Sequence, residues 1–186
     1  MLDRSLLIFV LLAGFIVTSI VDWIAVAAWW SWYFRNGICI YSKTIQVPNS
    51  GDVQVSTETL NKRFASKHWR STQYEELGPG EWAIRRASPW WDPGFHVVIM
   101  HGRLLVDPAK GRVTVLGYAD WATIWLAVVL VGAVIAMQQL VVIALALVVT
   151  AGLLFNYVGR ASLFEEVGQY AAYRLANPIV EGSVRA

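Results

Sequence analysis

The residues able to do chemistry in this chain are few and scattered. Asp22 is the one acid inside a long oily run, "SLLIFVLLAGFIVTSIVDWIAVAAWWSWYF", residues 5–34. An ionised carboxylate is costly in hydrocarbon unless it faces protein or water. Asp22 therefore reads either as a proton or ion site or as a hydrogen-bond partner for a neighbouring helix. Gln138 and Gln139 interrupt a second oily run, 121–157, and could supply that partner or line a polar path. The histidines are His68, His96 and His101. His96 and His101 are five apart on an expected strand, which turns them to opposite faces. Asp92 with His96 makes two ligands where zinc takes three or four. Cys39 is alone, so no intramolecular disulfide can form. The P-loop, GxSxG, GxGxxG, HExxH and CxxC patterns are all absent from the sequence. No catalytic, cofactor-binding or metal-ligating set is assigned.

The elements that must carry these residues are announced by composition. Of 186 residues 56% are hydrophobic and 15% charged, against roughly 25% charged in soluble domains. The oil collects in the two runs, while residues 35–118 have the charge density of a water-soluble module. The expectation is an integral membrane α-helical protein with three spans, one N-terminal helix plus a C-terminal helical hairpin. A small β-rich α+β domain is inserted between spans 1 and 2. A net charge of +2 gives no concentrated basic face for nucleic acid.

The first run, 5–34, exceeds the roughly 20 apolar residues a spanning helix needs. "AVA" at 25–27 resembles a leader-cleavage site, but the oily stretch is longer than a leader core and Asp22-Trp23 stands just before that site. A retained span is expected. It closes on Trp29, Trp30 and Trp32, amphipathic rings suited to the headgroup layer.

A straight helix over 121–157 would be about 55 Å long, against a hydrocarbon core of about 30 Å. Divided at the glutamines it gives spans over 120–137 and 139–157, with Trp121 and Trp125 opening one and Phe155 and Tyr157 closing the other. The alternative is a single span over 121–143 whose helix continues outside the bilayer. No Gly, Pro, Asn or Asp marks a turn at 137–139, but the hairpin is the favoured reading. With three spans, Arg35, Lys43, Lys110, Arg112, Arg160 and Arg174 share one side and Arg4 the other. That bias puts the domain (35–119) and the C-terminus in the cytoplasm, across a bacterial inner membrane.

Within the domain "ICIYSKTIQV" and "EWAIRRAS" read as strands, and "STETLNKRFASKHW" as helical. "HVVIMHGRLLVD" and "RVTVLGYADW" flank the four-residue connection "PAKG" and read as a hairpin. The loop "SPWWDPGF" holds up Trp90, Trp91 and Phe95, as a headgroup wedge, a partner hot spot or a cap on the core. Lys62, Arg63, Lys67, Arg70, Arg85 and Arg86 form either a basic face toward anionic lipid or an ordinary solvated face. In the tail, 160–177, Ser162 and Glu165 stand in capping-box register, and Phe164, Val167, Ala171 and Leu175 form an apolar stripe. An amphipathic helix is expected there, at the interface or packed on protein, with Arg160 and Arg174 toward anionic lipid.

The leading functional expectation is a non-catalytic membrane subunit docking, through its helices and Trp belt, with other membrane-protein subunits or itself. Gly14, Gly132, Ala136 and Gly152 would permit close helix approach. The alternatives are a small proton- or ion-translocating oligomer using Asp22 with Gln138 and Gln139, and a membrane enzyme using Asp92, His96 and His101.

Overall fold

The computed structural model describes residues 4–47, 55–64, 72–86, 100–137 and 139–177, with side chains described there except at 4–8, 86, 136 and 137. In chain order the elements are α1 (Arg4–Ala27), α2 (Ser31–Arg35), β1 (Cys39–Gln46), α3 (Thr57–Phe64), β2 (Thr72–Gly78) and β3 (Glu81–Arg86). There follow β4 (Met100–Asp107), β5 (Arg112–Ala119), α4 (Trp121–Met137) and α5 (Leu140–Ala176). The strands form one antiparallel sheet in the order β1-β5-β4-β3-β2.

The β4–β5 hairpin is built by its connection. Pro108 opens a single 3₁₀ turn, the Asp107 side chain accepts the Lys110 N–H at 3.1 Å, and Gly111 takes the left-handed conformation (φ 56°). Asp107 then pairs with Arg112, which sets every later pair, including His101 with Tyr118 and Gly102 with Gly117. The β2 strand was not expected. "TQYEELG" is polar, yet Thr72 and Tyr74 alternate inward while Gln73 and Glu75 face out.

One face of the sheet carries the main core. Tyr74, Trp82, Ile84, Met100, Leu104, Val113 and Val115 are covered by Leu60 and Phe64 of α3 and by Leu163, Phe164, Val167, Ala171 and Leu175 of α5. Phe164 lies on the Gly102–Gly117 pair so closely that a Cβ at Gly102 would stand 2.6 Å from its ring, and one at Gly117 2.8 Å. The other face receives Tyr33 and Phe34 of α2, packed with Ala25 of α1 and Ala83 of β3. The edge strand β2 is blunted by Asn61, whose side chain accepts the Tyr74 N–H at 2.9 Å and donates to its C=O at 3.2 Å.

The apolar helices α1 and α4 run antiparallel, Gly14 against the Trp125 ring and Gly132 against Leu11. Gly152 has no neighbour at that range among the described residues. The helix is interrupted between Met137 and Leu140, and α5 returns to the sheet. Two helices, Phe9–Ala27 and Leu140–Ala176, are long and apolar enough to cross a membrane, while Trp121–Ile135 in α4 is apolar and shorter.

The tail differs from expectation. There is no helix start at Ser162, because one helix runs unbroken from Leu140 to Ala176. Gly159 is a single glycine among helix formers, a cost of about 1 kcal/mol. Burial of the next three turns outweighs it. The stripe Phe164, Val167, Ala171 and Leu175 is fully buried on the chain's own sheet rather than laid on an interface.

Candidate functional site

Where α1 and α4 meet the sheet, four buried polar side chains converge from α1, α2, β4 and the link between β5 and α4. Asp120 lies between β5 and α4, and its C=O accepts the N–H groups of Thr123 and Ile124 as α4 begins. Its Oδ1 accepts the Tyr33 hydroxyl at 3.1 Å and stands 2.7 Å from His101 Nδ1. His101 Nε2 faces the Tyr33 C=O at 3.0 Å, and the imidazole is clamped between Tyr33 (centroids 4.1 Å apart) and Tyr118 (5.7 Å). Asp22, from α1, reaches across to the first turn of α4, where its Oδ2 accepts the Ala122 N–H at 2.6 Å. All four are at least nine-tenths buried, with Asp22 the most open at 7% exposed.

The bonding fixes several protons. A carbonyl only accepts, so His101 Nε2 carries a hydrogen. Burial, then the Asp120 and Asp22 carboxyls, push Tyr33 ionisation far above its ordinary value, so it remains a hydroxyl. One hydrogen bridges His101 Nδ1 and Asp120 Oδ1, belonging to an imidazolium–carboxylate pair or to an imidazole–carboxylic acid pair. Asp22 Oδ1 is buried with no hydrogen-bond partner among the described residues.

Beside this cluster α1 ends in a Schellman pattern, with Trp30 N–H bonded to the Ala25 C=O (3.0 Å) and Trp29 N–H to the Val26 C=O (3.4 Å). Trp29 occupies the left-handed position (φ 53°) that normally falls to glycine. Its ring is stacked between Phe34 (5.6 Å) and the Arg85 guanidinium (4.0 Å). Arg85 also donates to the Val26 C=O at 2.8 Å, so this cation closes the negative end of the helix. Arg85 serves the junction and is not part of a solvated basic face. On the same side of the sheet Glu81 is gripped by Arg35 (2.9 Å) and Arg103 (2.7 Å). Burial raises its proton affinity, but the two guanidiniums outweigh that and hold its carboxyl below the usual range.

The expected site residues fall into three groups. Asp22 joins the buried cluster, but Gln139 does not. It stands at the start of α5 with no capping hydrogen bond from its side chain, one α4 length from Ala122, about 25 Å at 1.5 Å per residue. Trp30, Trp32 and Trp121 are exposed at the ends of the apolar helices, while Trp29 and Trp125 are spent on internal packing. Arg160 and Arg174 are half-buried on α5. Gln138, Trp90, Trp91, Asp92, His96 and His68 lie outside the described residues. Among the described residues no three His, Cys, Asp or Glu side chains converge as a metal site.

Tyr33, Asp120 and the partnership of His101 went unread in the sequence, although one signal was there. The hairpin register that begins at "PAKG" places residue 101 opposite 118, so Asp120 lies two residues on, on the same face. Compared with known proteins, the chain matches no protein-family profile, no curated protein and no solved structure.

Proposed function

We propose that the chain is a three-span integral membrane protein that serves as a non-catalytic accessory subunit of a larger inner-membrane assembly. Its spans are α1, α4 and the first half of α5, and its sheet domain is the adaptor. What carries the reading is the contrast between the two halves of α5. Its second half is sealed onto the sheet, while in the first half Leu140 is 82% exposed and Phe155 78%, with Leu147, Val148 and Leu154 also open. Water does not tolerate an apolar surface of that length, so lipid or a partner subunit is its natural surrounding.

The break at Gln139 and the return of α5 to the sheet support three crossings over two. A helix from Trp121 that continued outside the bilayer would carry the chain away from the domain, and α5 comes back to it. The cation bias then assigns the domain and the end of α5 to the cytoplasm. The junction supports the adaptor role, because the domain is packed by α2 on one sheet face and by α5 on the other.

A second reading, a proton- or ion-translocating oligomer working through Asp22, draws on the burial of that acid among other titratable groups. Gln139, at the start of α5, does not join it as a lining.

Co-purification in mild detergent tests the subunit reading. Fixed, stoichiometric partners are expected. A monodisperse species carrying no other protein contradicts it.

A further inference from the structure

We propose that Asp22, Tyr33, Asp120 and His101 form a proton-binding site. On it a proton resides at one of two ends, the Asp22 carboxyl or the Asp120–His101 pair, with the Tyr33 hydroxyl turning between them. The inference is independent of the subunit reading.

Three observations carry it. First, the Tyr33 hydroxyl donates to Asp120, and Asp22 is bonded to the N–H of Ala122, two residues along from Asp120, so both carboxyls stand at one helix start with a hydroxyl that has one hydrogen but two lone pairs. It can serve one acid as donor only while accepting from, or turning away from, the other. Second, Asp22 Oδ1 is buried and unpartnered although Oδ2 of the same carboxyl is bonded to the α4 amide, leaving one oxygen able to hold the added hydrogen. Third, two carboxyls share a water-poor pocket whose only basic contact among the described residues is His101. The charged groups nearby are engaged elsewhere: Arg35 and Arg103 on Glu81, Arg85 on Trp29 and the end of α1. From β5 the pocket is faced by Tyr118, stacked on His101, and from α2 by Tyr33 and by the Phe34 ring, edge-on to His101.

The proton balance is simple. When the hydrogen sits on Asp22, the Tyr33 hydroxyl points to Asp120, which shares its own hydrogen with His101. When Asp22 gives it up, its hydrogen passes to the Tyr33 oxygen as the Tyr33 hydrogen passes to Asp120, which becomes a carboxylic acid beside the imidazolium of His101 while the new Tyr33 O–H points to the Asp22 carboxylate. No electron moves and no bond other than O–H or N–H changes. Because Asp22 closes the first turn of α4 and Asp120 begins it, the position of the hydrogen sets which of the two acids bears charge at that helix end. The site thus links the protonation of a span residue to the domain.

The test uses the full chain in phosphatidylcholine nanodiscs with ¹⁵N-labelled histidine, the His101 ring signals being identified by their loss in His101→Gln. Asp22→Asn is expected to displace the His101 ring resonances, and to leave them unmoved when Tyr33→Phe is already present. Silence of His101 toward Asp22→Asn with Tyr33 intact overturns the proposal, since the four groups are then a static tie. An equal displacement with and without Tyr33 also overturns it, since the link is then charge acting through space. Should the variants fail to fold, the wild type alone decides by infrared spectroscopy. A deuterium-sensitive carboxylic-acid C=O band that persists after exposed acids have ionised supports the site. Absence of such a band at every pH where the protein is folded overturns it.

Discussion

The Asp22 carboxylate accepts the backbone N–H of Ala122 at 2.6 Å, so an acid on one apolar helix closes the first turn of another 100 residues away. The opening turn of a helix leaves four N–H groups without partners and carries partial positive charge, and a carboxylate answers both needs. The cost of an acid in an oily segment is thereby offset locally.

Asp22→Ala strands that amide in a water-poor junction and is expected to cost about 1–3 kcal/mol. Asp22→Asn keeps an oxygen acceptor and should cost less than half as much. Denaturant unfolding in detergent micelles measures both. Equal losses would mean that charge rather than the hydrogen bond holds the two helices together.

The contact of Phe164 with the Gly102–Gly117 pair yields a packing prediction. Gly102→Ala places a methyl 2.6 Å from the Phe164 ring and should destabilise the domain by roughly 1–3 kcal/mol. Phe164→Leu in the same chain makes room, and the double variant is expected to be more stable than the sum of the single losses. Additive losses would show that the ring is not what excludes the side chain.

Much of the architecture was legible from the sequence because it rests on period and punctuation. The Pro/Gly connection at 108–111 and the flanking β-rich runs dictate the hairpin, and the apolar stripe from Phe164 to Leu175 names the residues that do bury. The extent of α5 was not legible. Ser162 and Glu165 mimic a helix start, but a cap matters only where the helix has an end, and here Glu165 pairs instead with Lys43 of β1. The β2 strand hid for a related reason, since an edge strand with one buried face can be largely polar. The buried cluster was hardest. Its four members are spread from residue 22 to residue 120, and only the sheet register and the crossing of α1 with α4 unite them.

Trp29 offers a test in which the usual ranking of residues inverts. Trp29→Ala loses the stack on Arg85 and Phe34 and keeps the left-handed backbone, whose cost for a residue with a Cβ is roughly 1–2 kcal/mol. Trp29→Gly loses the same stack without that cost. The glycine variant should therefore unfold at higher temperature than the alanine variant, against helix propensity. The opposite order would place Trp29 outside the left-handed region.

Glu81 gives the pH dependence. Its folded carboxyl is held below the usual value by Arg35 and Arg103, so its contribution is present in full above the unfolded value of about 4.3 and is lost as pH falls through the lower folded value. Thermal midpoints between neutral and acidic pH should fall less steeply for Glu81→Gln than for the wild type. Parallel curves would show that the two guanidiniums do not act on it.

A three-span path that doubles back at Gln139 puts that residue across the membrane from the sheet. Gln139→Cys and Ser42→Cys, each in a Cys39→Ser background, can be labelled in intact cells and in opened membranes with an impermeant thiol reagent. Gln139→Cys is expected to react in intact cells, while Ser42→Cys, and likewise Gln169→Cys, reacts only once the membrane is opened. Reaction of Gln139→Cys and Ser42→Cys from the same side would contradict it.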